Sequence, residues 1–248
     1  MQLALLAAAG IGLSLGILGS GGSVLALPLL VYLAGQDVKQ AIAGSLFIVA
    51  MISLATLLFS PAKQQINWRM AWQLGISGAL GGYIGAYAGQ FAHPLLQLLI
   101  FATLMLIAAQ AMWRHQETTA NHSSTYVIVI AGTLAGALTS FTGAGGGFML
   151  VPVLVRFAGQ DFFHARATSL LLIFSNAVLA LLANLKFQSN GQLDWTLLLA
   201  ISALGIIGSL SGRYWSASWS QQRLRRGFAL LLVIIALFIV GHSLLEVI

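Results

Sequence analysis

Long apolar runs separated by short polar connections dominate the chain. They fall at about 3–34, 41–59, 70–91, 94–113, 124–158, 165–185, 195–215 and 224–247. A membrane-spanning helix needs roughly 20 consecutive apolar residues, and six of the runs have that length. The runs are continuous rather than alternating, which predicts helices and argues against the short alternating strands of a membrane barrel. The first and fifth runs are too long for one straight helix, and each contains a glycine cluster. In the first it is Gly19-Ser20-Gly21-Gly22-Ser23; in the fifth it is Thr142-Gly143-Ala144-Gly145-Gly146-Gly147.

The two halves repeat. Gly21-Gly22 followed by Pro28 matches Gly145-Gly146 followed by Pro152 at an offset of 124 residues. The same offset places Gly35-Gln36-Asp37 on Gly159-Gln160-Asp161, and Ser45-Leu46 on Ser169-Leu170. After a three-residue insertion, the ladder Gly78/Gly81/Gly85 matches Gly205/Gly208/Gly212. Small residues at this helical spacing predict close helix packing. The expected fold is an all-α polytopic membrane protein with two homologous four-segment repeats, residues 1–113 and 124–248. A polar linker, 114–123, joins them, and each repeat opens with a glycine-broken segment.

Composition agrees with a bilayer environment. Of 248 residues only 16 are charged, 6% of the chain, and the mean hydropathy is +0.94. An ordinary soluble domain carries roughly 25% charged residues, so no soluble catalytic domain fits. The absence of cysteine excludes disulfides and thiolate chemistry. The formal charge of +6 does not point to nucleic acid, because the basic residues are scattered among connections, where they record orientation. Met1-Gln2-Leu3 lacks the basic start of a cleavable signal peptide, so the N-terminus is expected to be retained.

Charge also arbitrates between two topologies. If all eight runs cross once, Lys63, Arg69, Arg114 and Lys186 face the seven other basic residues across the membrane. If the two glycine-broken segments dip in and return, only Lys39 and Lys186 share a side, and the other nine lie opposite. The second split is the better positive-inside pattern. It makes the repeats inverted, the broken segments re-entrant, and both termini non-cytoplasmic.

Backbone without helical hydrogen bonds is costly at membrane depth unless it is buried in protein or lines a watery cavity. Paired breaks in a duplicated chain are the best sequence pointer to a transport site. One cluster alone reads more simply as tight packing; two matched clusters favour a site. Each break precedes a short apolar helix whose first turn offers unpaired N–H groups and the positive end of the dipole, a setting for a small anion. The candidate substrate-binding residues are Gly19, Ser20, Gly21, Gly22, Ser23, Ser45, Thr142, Gly143, Gly145, Gly146, Gly147, Thr168 and Ser169. Asn176 is a further candidate one helix away. The five acids, Asp37, Glu117, Asp161, Asp194 and Glu246, all lie in connections or at helix ends, so no carboxylate is left in the membrane to bind a cation. Neither cluster continues as a P-loop. The five histidines lack metal-site spacing, no catalytic set appears, and no metal or cofactor is expected.

At these residues the sequence resembles the sulfite exporter TauE/SafE family, also called the toluene-sulfonate uptake permease group. The resemblance covers nearly the whole chain. Its marks are Gly143-Ala144-Gly145-Gly146-Gly147, Val151-Pro152-Val153-Leu154 and Ala167-Thr168-Ser169-Leu170, with a weaker copy in Gly19-Ser20-Gly21-Gly22-Ser23, Pro28 and Gly44-Ser45-Leu46. Ser23 stands where the family often has a third glycine. The resemblance implies a multi-pass protein of a bacterial or archaeal cytoplasmic membrane that moves sulfite, organosulfonate or thiosulfate. The expected function is a secondary transporter, not an enzyme, with a small anion and the lipid bilayer as partners and export as its direction. Alternating access would come from one half rocking against the other. An importer on the same scaffold, and a structural or assembly membrane protein, remain as alternatives. The sequence carries no signal for the oligomeric state. Single cysteines at Ser60 and His115 should both label from the cytoplasmic side; labelling of either from outside would overturn the inverted orientation.

Overall fold

The computed structural model describes residues 22–59, 66–114, 124–143, 147–156, 162–187, 193–216 and 219–245, together with 10, 12–14 and 17. These residues are helical, without strands among them. Helix α1 spans Gly22–Pro28 and continues as a π-helical turn, Leu29–Leu33. There follow α2 (Val38–Leu58), α3 (Trp68–Phe91), α4 (Pro94–Arg114), α5 (Thr125–Phe141), α6 (Gly147–Arg156), α7 (Phe162–Phe187), α8 (Trp195–Ser216) and α9 (Gln221–Leu245). Helices α2, α4, α7, α8 and α9 are long and apolar enough to cross a membrane.

Local chemistry explains the boundaries. Asp37, Asn67 and Asp194 stand just before α2, α3 and α8, and each side chain accepts a first-turn N–H, the usual way to satisfy an orphan donor. Pro28 and Pro152 both lie inside helices. Pro28 cannot donate to the preceding turn, and the widened turn Leu29–Leu33 follows it. That segment ends at Gly35, whose φ of 66° admits the left-handed stop. The Gln36 N–H returns to the Leu30 carbonyl at 3.0 Å.

Helix α3 presents two faces. Gly78, Gly81, Gly82, Gly85 and Gly89 are buried, while Trp72, Ile76, Leu80, Ile84 and Phe91 are exposed. The glycine face lies on α5. A Cβ added at Gly81 would sit 2.0 Å from the Thr133 carbonyl oxygen, and one at Gly85 would sit 1.9 Å from that of Ala137. The reverse also holds, since a Cβ at Gly136 would meet the Gly78 carbonyl at 2.1 Å. Near the start of the chain, Gly12 meets Gly205 at 1.9 Å in the same sense. Such backbone approach supplies the close van der Waals packing that holds helices together in lipid.

These contacts fix directions. Ser77 meets Gly132, Gly78 meets Gly136 and Gly85 meets Ala137, so α5 runs parallel to α3. Gly75 meets Leu172 and Gly78 meets Asn176, so α7 runs with them. The start of α2 lies at the end of α3, where the Lys39 ammonium donates to the carbonyls of Gly89, Gln90 and Ala92. Helix α2 is therefore antiparallel to α3. Gly44 meets Leu198, and the Thr56 hydroxyl donates to the Ser209 hydroxyl at 2.8 Å, so α8 runs with α2. All six tryptophans are exposed and at helix ends, where an interfacial aromatic belt places them. Gly85→Ala should lower the unfolding free energy by about 1–3 kcal/mol. Gly227→Ala, with open space around it, should leave the thermal midpoint in detergent unchanged or slightly raised.

Candidate functional site

The second glycine cluster is a break between two helices. Helix α5 stops at Phe141, and α6 begins at Gly147. Gly143 has φ 73°, and a Cβ there would lie 2.7 Å from the Ile42 side chain. Both the conformation and the space therefore require glycine. Gly145 and Gly146 lie outside the described residues, as do Gly19, Ser20 and Gly21; Gly22 and Ser23 form the first residues of α1.

The carbonyls released around the break have donors. The Ser45 hydroxyl, fully buried on α2, donates to the Gly143 carbonyl at 2.6 Å and to that of Ile42 at 2.8 Å. The Gln97 amide donates to the carbonyls of Phe141, at 2.7 Å, and Gly89, at 3.0 Å. The Thr142 hydroxyl folds back onto the carbonyls of Leu138, at 3.0 Å, and Thr139, at 3.3 Å. Ser45 and Thr142 thus spend their protons on the backbone and shape the break. The first-turn N–H groups of α6 have no partner within their own helix. The positive end of its dipole adds to that. The described acids, Asp37 and Asp194, stand just before helices rather than within them.

The remaining described candidates lie elsewhere. Thr168, fully buried on α7, accepts the Asn67 N–H at 3.1 Å, at the start of α3. Ser169 is also fully buried. Asn67 and Gly89 are about 33 Å apart along α3 at 1.5 Å per residue. The structure therefore brings Ser45, Thr142 and Gly143 together near one end of α3, and Thr168 near the other.

Three contributors escape the sequence reading. Lys39 reads there only as a topology signal, yet its ammonium seals the end of α3. Gln97 is a lone amide in an apolar helix, a signal that could have marked it. Asn67 reads as a connection residue and anchors α7. Ser45→Ala removes the Gly143 bond and should cost about 1–2 kcal/mol. Gly143→Ala should cost a similar amount through its positive φ alone, and more through Ile42; thermal unfolding in detergent measures both.

The sequence matches the family model described as "Sulfite exporter TauE/SafE" over residues 4–239. A "Probable membrane transporter protein" of Xylella fastidiosa strain Temecula1 is 30% identical over 243 residues, covering 94% of this chain and 92% of the relative. Its namesake in strain 9a5c is 29% identical over 244 residues with the same coverage. The "Probable membrane transporter protein y4hK" of Sinorhizobium fredii is 27% identical over 164 residues, 62% of this chain and 66% of the relative. No solved structure matches the chain.

Proposed function

The chain belongs to the sulfite exporter TauE/SafE family, and from that premise we propose that it is a secondary transporter exporting small sulfur-containing anions of the sulfite, thiosulfate or organosulfonate class. Membrane transport and a multi-pass arrangement follow from the family itself. The observation that carries the anion is the polarity of the break. Carbonyls beside it accept from Ser45, Gln97 and Thr142, the first-turn N–H groups of α6 lack helical partners, and no described helix contains a carboxylate. Glycine there lets the ligand approach the backbone closely.

In this reading residues 1–113 and 124–248 are inverted repeats about the linker 114–123, and both broken segments re-enter. The parallel course of α5 and α7 supports this, because a chain joining two parallel neighbours must return between them. The paired contacts Gly12–Gly205 and Gly78–Gly136 support the duplication, since they differ by its sequence offsets. By the offset of 124 residues, Gly19 of the first cluster corresponds to Gly143, and Ser169 to Ser45. The protein lies in the cytoplasmic membrane of a bacterium or archaeon, with the side rich in arginine facing in. The inside-negative potential favours anion efflux by about 2.3 kcal/mol per charge per 100 mV.

Flux of sulfite, thiosulfate and a simple sulfonate through proteoliposomes tests this directly. Saturable movement of at least one, lost in a folded Gly146→Leu variant, is the expected result. Absence of flux with all three would refute the reading.

A further inference from the structure

One buried side chain in the membrane region has both of its polar atoms without a hydrogen-bond partner among the described residues. Asn176 lies at the centre of the span Ala167–Lys186 on α7 and is 4% exposed. Neither its Nδ2 nor its Oδ1 has a hydrogen-bond partner among the described residues. An unsatisfied amide at membrane depth is expensive, and its cost goes unmet unless something else enters to pair with it. The carboxamide lies against the glycine face of α3, where a Cβ at Gly78 would lie 2.9 Å from Nδ2 and 3.3 Å from Oδ1. Gly136 of α5 faces Gly78 from the other side. Gly78 also stands midway along α3 between Asn67, where Thr168 is bound, and Gly89, where the second break is pinned.

We propose that Asn176 is the midplane ligand for the transported anion, and that its carboxamide selects a protonated monoanion, hydrogensulfite being the type. This rests on the sulfur-anion reading above and names the residue that reads the substrate. A carboxamide offers two N–H donors and one carbonyl acceptor. Hydrogensulfite answers both, with oxygens for the N–H groups and its own proton for Oδ1. A dianion brings no proton for Oδ1. It also carries twice the charge into a region where burying charge is costly. Asn176 would thus meet the anion midway along α3, between Asn67 and Gly89, where the second break is pinned.

The test compares wild type with Asn176→Leu, a change of similar size that removes only the unpaired polarity. The variant should fold with an unchanged or higher thermal midpoint, since no internal hydrogen bond is lost. Its sulfite affinity, read as ligand-induced thermal stabilisation and as KM for flux, should fall about tenfold to a hundredfold. Wild-type flux at fixed total sulfite should rise as pH falls through sulfite's second dissociation, where hydrogensulfite becomes the main species. If Asn176→Leu misfolds, Gly78→Ala decides, because its new methyl group displaces the carboxamide without removing it; weakened sulfite binding in that folded variant supports the proposal. Wild-type sulfite affinity in either folded variant overturns the role of Asn176 while leaving the transporter reading intact. Flux that follows the dianion overturns the selection of a monoanion. A wild type that binds and moves no sulfur anion removes the transporter reading and this proposal together.

Discussion

A peptide carbonyl freed from its helix inside a bilayer has no water to accept from. The rest of this architecture follows from how that debt is met between α5 and α6. Ser45 reaches across from α2, Gln97 from α4, and Thr142 turns back on α5. Each comes from a different element, so the break holds its shape only while those elements remain assembled. The arrangement is also polar in one sense. Acceptors beside the break are occupied, while the first turn of α6 adds N–H groups without helical partners.

The glycine face of α3 serves the same end. With no side chains between them, α3 and α5 meet backbone to backbone, and the exposed apolar row on the other face of α3 is left for lipid. Lys39 adds a second tie at the end of α3 by donating to three carbonyls that the helix leaves open. A cation at a helix C-terminus is also favourable to the dipole. Packing and polar satisfaction thus converge on the end of α3 that carries the break.

Much of this was legible in the sequence. The run 94–113 became α4, Pro94–Arg114, because an unbroken apolar stretch in a bilayer has one low-energy conformation. The interruption at Thr142 to Gly147 was visible because its glycines are matched by a second cluster 124 residues earlier. What could not be read was pairing. The ladder Gly78/Gly81/Gly85 announces a close neighbour but does not say that the neighbour is α5, since small residues fit any backbone. Ser45 was a candidate in the sequence, but its bond to the Gly143 carbonyl could not be read there, because a buried hydroxyl is ambiguous until its acceptor is known. Thr168 looked like its companion, but its partner Asn67 lies far along α3 from Gly143. Asn176 could be placed one helix away, whereas its lack of a partner is a property of three helices at once.

The contact between α3 and α5 has a mechanical consequence. Helix α3 belongs to the first half of the sequence and α5 to the second, and their backbones touch. Gly12 and Gly205 join the halves again in the opposite sense. Each half is therefore clasped by a helix of the other, as two hands are by interlaced fingers. A motion that separated residues 1–113 from 124–248 as blocks would have to part these backbone contacts. A body that moved without parting them would take helices from both halves of the chain, α3 together with α5.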